Sequence, residues 1–148
     1  MIRHRLSVED LVFRAEFEAH SILPALFNHR AHIRLAYTYL AEHDTDAAHK
    51  LMRTALLSFL SHHGSDTSKY HETMTRAWIM AVRHFMEKAS SAESFDAFIA
   101  RNPSMLDSKI MLTHYTAEVL FSDAARARFV EPDLDPIPSY TTADTNFA

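Results

Sequence analysis

The stretch Asn28-His29-Arg30-Ala31-His32-Ile33-Arg34-Leu35-Ala36-Tyr37-Thr38-Tyr39-Leu40-Ala41-Glu42 sets the fold class. A helix turns about 100° per residue, so positions three, four and seven apart share a face. Wound this way, His29, Ile33, Ala36 and Leu40 form one apolar row, with His32 and Tyr39 beside it and Arg30 and Arg34 pointing away. Asn28 supplies a side-chain acceptor for the first free amides and is the expected cap.

The same logic extends in both directions. Upstream, Ser7-Val8-Glu9-Asp10 reads as a capping box opening a helix that ends before Pro24. Its apolar stripe is Val8, Leu11, Val12, Ala15, Ala19, Ile22 and Leu23. Downstream, a third helix runs from about Asp44 to His63 and stops at Gly64, the only glycine, which suits the left-handed C-terminal position. A fourth begins near Asp66 to Ser68 and continues to about Lys88, with His71, Met74, Thr75, Trp78, Val82 and Phe85 on its inner stripe and Arg76, Met80 and Arg83 outside. Shorter helices follow, about Ala92 to Arg101 and between about Leu106 and Phe129. From Glu131 the Pro- and Asp-rich text cannot continue a helix and reads as an extended strap with a loose end. The expected architecture is all-α: a four-helix bundle with short C-terminal helices, one domain over residues 1–130 and a tail over 131–148.

Composition supports this and narrows the function. A chain of 148 residues forms one core that buries about two thirds of its unfolded surface. One glycine leaves no material for hairpins or phosphate loops. The absence of cysteine excludes disulfides, thiolate metal sites and cysteine nucleophiles. The net charge of -4, with fifteen dispersed Lys and Arg, argues against a nucleic-acid partner. No run of eighteen apolar residues and no apolar leader segment occurs, so neither a membrane nor export is expected and the chain reads as cytoplasmic.

Histidine is the unusual residue, at eleven of 148. Short connections make successive helices antiparallel, so the starts of helices two and four share an end with the finishes of helices one and three. That places His29, His32 and His71, all inward in phase, at one pole with His20, His62 and His63 nearby. His-x-x-His on one helix and a third imidazole on its neighbour can converge on one divalent transition metal, with zinc, iron and copper all suited. Glu72 and Glu16 are the expected catalytic carboxylates, as a further ligand or a general base on bound water. Arg34 and Arg126 are candidates for holding an anionic substrate.

The strings Phe27-Asn28-His29-Arg30-Ala31-His32-Ile33-Arg34-Leu35-Ala36 and Lys69-Tyr70-His71-Glu72-Thr73-Met74-Thr75 resemble a family of small, uncharacterised bacterial helical proteins. Its pattern reads Phe-x-His-x-x-His-Leu-Arg-Leu-Ala and Tyr-His-Glu-Thr-Ile-Thr. Ile33 stands where that pattern has Leu, and Met74 where it has Ile. Leu120-Phe121-Ser122 and Pro132-Asp133-Leu134 are similar too, so the resemblance spans most of the chain. It implies that His29, His32, His71 and Glu72 form one constellation, and it carries no known chemistry.

Two functions are consistent with these readings. The first is a metal-dependent enzyme acting on a small-molecule substrate, with His29, His32 and His71 as ligands. The alternative is a non-catalytic helical module for a ligand or protein partner, its histidines structural or pH-responsive. Metal storage or sensing is a third, and a homodimer is compatible with each.

Overall fold

Side-chain caps set the helices in the computed structural model, which describes residues 3–140. Ser7 and Asp10 close the capping box of α1 (Val8–Glu18), the Ser7 hydroxyl accepting from the Asp10 amide and the Asp10 carboxylate from the Ser7 amide. Asn28 Oδ1 accepts from the Ala31 amide to start α2 (His29–Leu40), and Asp44 does the same for Ala47 at α3 (Thr45–His62). Gly64 ends α3 at φ 70°, where a glycine pays no steric cost. A 3-10 turn over Thr67–Lys69 precedes α4 (Glu72–Lys88). Beyond it lie α5 (Phe95–Arg101), two 3-10 segments over Pro103–Leu106 and Ser108–Thr113, α6 (Ala117–Leu120) and α7 (Asp123–Ala127).

The first four helices form the bundle. α2 packs against α1, α3 and α4, α3 also meets α1 and α4, and α7 lies on α4. Nearly every residue of α2 from Ile33 to Leu40 is buried, Arg34 excepted. α4 is buried on several sides too, and Met80, expected outside, is only 7% exposed. A helix that is apolar around most of its circumference belongs in the middle of a domain; α5 to α7 and the 3-10 segments supply the extra cover.

The expected inner face of α1 is overturned. Val8, Leu11 and Val12 are exposed at 72%, 41% and 48%, while Asp10 and Phe17 are buried and Phe13 and Arg14 half-buried. Two aromatic rings outweigh a stripe of small aliphatics in area removed from water. Phe17 stacks on Phe59 at 4.7 Å, and Arg34 lies over the Phe13 ring at 4.8 Å. Asp10 is tolerated inside because it accepts from the amides of Ser7 and Phe95 and from Arg34. Arg34 therefore turns toward α1 instead of solvent.

The extended strap is tied back to the bundle. Ile137 is buried, the Leu134 amide donates to the His114 carbonyl at 2.9 Å, and Thr45 donates to the Tyr140 carbonyl at 2.6 Å. The expected loose end, residues 141–148, lies outside the described residues. No helix among the described residues is long and apolar enough to cross a membrane.

Candidate functional site

The pole of histidines exists. His20 stacks on His62 with centroids 4.3 Å apart and hydrogen bonds with Ser58 at 2.7 Å, and His62 meets His63 edge-on. Beside them the starts of α2 and α4 and the last turns of α3 line a partly open cavity of ≈ 210 Å³. Phe27, Leu56, Phe59, Leu60 and Met74 form its apolar wall, and His32, Lys69, Tyr70, His71 and Thr75 supply its polar groups.

His71 is not in the first turn of α4 but is its cap. Its Nδ1 accepts from the Met74 amide at 3.0 Å, and its Nε2–H donates to the Leu120 carbonyl at 2.7 Å. An acceptor Nδ1 with a donor Nε2 is the neutral tautomer, and both nitrogens are thereby spent on backbone. Burial lowers its pKa, with Arg126 assisting and the Leu120 bond opposing.

His29 points elsewhere. Its Nε2 donates to the Met105 carbonyl at 3.0 Å, and its ring sets its edge on Trp78 at 4.8 Å. His32 Nε2 is buried and has no hydrogen-bond partner among the described residues, and the same holds for His63 Nε2 at this pole. Burial, reinforced by neighbouring His29, pushes the pKa of His32 down to about 4. The three histidines therefore share one end of the bundle, but their nitrogens do not converge. No group of three or more His, Asp or Glu among the described residues is arranged to hold a metal ion.

Glu72 is turned to the α3 side, away from this trio. Its carboxylate accepts from Tyr70 at 2.6 Å and from His49 Nε2 at 3.0 Å, and it pairs with Arg53. Arg76 donates to His49 Nδ1 at 3.3 Å and pairs with Asp46 at 2.9 Å. An arginine N–H can donate into Nδ1 only if that atom is unprotonated, so His49 is neutral. Burial first, then Arg76 and Arg53 against the weaker pull of Asp46, brings its pKa to about 4. This chain of charges fixes the Tyr70 ring in the cavity wall. His49 was not singled out from the sequence. Its signal is the pairing of His49 with Arg53 on α3 opposite Glu72 with Arg76 on α4, each four residues apart.

Glu16 does not belong to the site. It is solvent-exposed because α1 turns its Asp10, Phe13 and Phe17 side inward, so its expected catalytic role is withdrawn. Glu18 instead accepts from Tyr39 at 2.6 Å, and Arg126 is exposed.

A pH dependence of stability follows from the two depressed histidines. An unfolded histidine titrates near 6.5, whereas His32 and His49 do so at about 4 when folded. Between those values the unfolded chain binds the extra protons. Their stabilisation is complete above pH 6.5 and is lost as pH falls toward 4. Each contributes roughly 2–3 kcal/mol at the limit. The melting temperature is expected to fall by roughly 10 °C or more across that window, with a shallower slope in His32→Leu; a flat profile would contradict the buried neutral states.

No family model matches the chain, and no curated protein or solved structure is significantly similar to it.

Proposed function

We propose that the protein is a helical small-molecule-binding module whose ligand occupies the cavity between α2, α3 and α4. One observation carries this reading: a pocket of ≈ 210 Å³ walled mainly by Phe27, Leu56, Phe59, Leu60 and Met74, with the polar groups of His32, Tyr70, His71 and Thr75 set among them. Concave, mainly apolar sites with one or two placed polar groups are the usual form of a ligand pocket. The other imidazoles act as structure: His71 caps α4 and ties it to α6, and His29 ties α2 to the 103–106 turn.

A metal-dependent enzyme at the same pole is the second reading, favoured by the presence of both His32 and His71 on the cavity wall. A divalent transition metal there needs His71 to release the Leu120 carbonyl or the Met74 amide. The net cost is about 1 kcal/mol per bond, small against the affinity of a structural zinc site.

Elemental analysis of tag-free protein exposed to zinc, iron and copper, beside a thermal-shift screen with small apolar molecules, separates the two. The binding-module reading expects substoichiometric metal. It also expects a ligand that stabilises by about 2.7 kcal/mol when present at a hundred times its Kd, a rise of roughly 5–10 °C. Stoichiometric metal that disappears in both His32→Ala and His71→Ala would overturn it in favour of the enzyme.

A further inference from the structure

The wall of the α2/α3/α4 cavity is of two kinds. Phe27, Leu56, Phe59, Leu60 and Met74 are apolar and buried or half-buried. Lys69 lines the same cavity yet is solvent-exposed. A side chain that does both stands where the cavity meets water, its methylene stem on the apolar wall and its ammonium in solvent.

Volume sets the size of an occupant. A dry apolar cavity of about 150 Å³ holds benzene, so ≈ 210 Å³ takes an apolar body of roughly eight carbons.

Charge sets its head group. Lys69 takes part in none of the ion pairs among the described residues. Asp66, the acid whose carboxyl feels Lys69, is exposed and already accepts from the Ser68 amide. Glu72 is turned to α3 and pairs with Arg53. Arg126 adds a second positive charge, close enough to the cavity-lining His71 to oppose protonation of its ring. The hydroxyls of Tyr70 and Thr75 are spent on Glu72 and the His71 carbonyl. The opening is therefore positive over an apolar interior, although the whole chain carries a net charge of -4. An anionic group held at the opening keeps part of its hydration, so it escapes the cost of a fully buried charge.

We propose that the cavity takes a small amphipathic monoanion, with an apolar body of roughly eight carbons against Phe27, Phe59 and Met74 and a carboxylate-type head group at the opening beside Lys69. This deepens the binding-module reading and rests on it.

Titration calorimetry of the full chain at pH 7 and low salt with octanoate and octylammonium tests it. The two probes share an apolar body and differ in the sign of one charge, so an apolar cavity alone does not separate them. Octanoate is expected to bind at one site, tighter than octylammonium by roughly five- to tenfold, attraction of one and repulsion of the other each being worth up to about fivefold at an exposed site. The gap is expected to close as salt is raised. Lys69→Met, which keeps an apolar stem on the wall, is expected to abolish most of the preference. Lys50→Met removes the same charge from an exposed position on α3 outside the cavity and is expected to leave the preference intact. Equal binding of the two probes by the unaltered protein would overturn the anion assignment while leaving the cavity as a binding site. A preference that survives in Lys69→Met would overturn Lys69 as the partner of the head group. Several octanoates per chain, with no single tighter site, would show detergent-like adsorption and overturn the proposal. No binding of either probe would remove the cavity reading itself.

Discussion

Asp10→Ala is expected to destabilise the protein by about 3–5 kcal/mol, the cost of leaving one partner of a buried pair without the other. Asp10 is 1% exposed and joins three segments. It accepts from the amides of Ser7 and Phe95, each at 3.0 Å, and from Arg34 at 3.0–3.1 Å. Its loss removes the carboxylate half of the α1 capping box, orphans the first amide of α5 and leaves a half-buried guanidinium on α2. Burial alone would raise its pKa, but the two amides and Arg34 outweigh burial and hold the carboxyl below its ordinary value. A depressed carboxylate contributes stability that is present above the unfolded value near 4 and lost as pH falls through the folded one. The acid limb below pH 4 is therefore expected to be gentler in Asp10→Ala, while the limb between 6.5 and 4 set by His32 and His49 is unchanged. Urea denaturation measures the first effect. A loss under 1 kcal/mol would contradict the assignment of Asp10 as the junction.

Glu72→Ala is the second large effect, expected at about 2–3 kcal/mol, because the part-buried Tyr70 hydroxyl and His49 Nε2 both lose their acceptor. Glu72 is 7% exposed and neutralises Arg53 beside His49 and Tyr70. Its removal leaves the cationic groups of Arg53 and Arg76 facing each other across His49 and frees the Tyr70 ring from the cavity wall. Glu72→Gln keeps a carbonyl acceptor for Tyr70 or His49 but loses the charge, so an intermediate cost is expected. The cavity supplies a readout beyond folding: binding of a small apolar ligand is expected to weaken in Glu72→Ala at temperatures where the variant remains folded. Unaltered stability and binding would show that the network is ornamental.

What the sequence made legible is mainly local. Ser7, Asn28 and Asp44 are caps because each carries an oxygen that reaches an amide two or three residues on, and Gly64 stops α3 for a backbone reason that needs no partner. The common height of the histidines follows from short connections. What depends on distant partners was not legible. The face α1 buries is chosen by Arg34, Phe59 and the Phe95 amide, none of which its own periodicity reveals. His71 is a cap, and its Nε2 proton goes to the Leu120 carbonyl, nearly fifty residues on. His29 is held in the same way by Met105. Phase and height predict which histidines gather; the directions of their nitrogens are set by carbonyls of the C-terminal segments.

The most direct measurement is the crystal structure of tag-free protein grown with trace zinc and the small apolar molecule that gives the largest thermal shift. The binding-module reading expects one such molecule in the α2/α3/α4 cavity, against Phe27 and Phe59. His71 is expected to remain bonded to Leu120 and Met74. A metal ion shared by His29, His32 and His71, with the Leu120 bond broken, would contradict it.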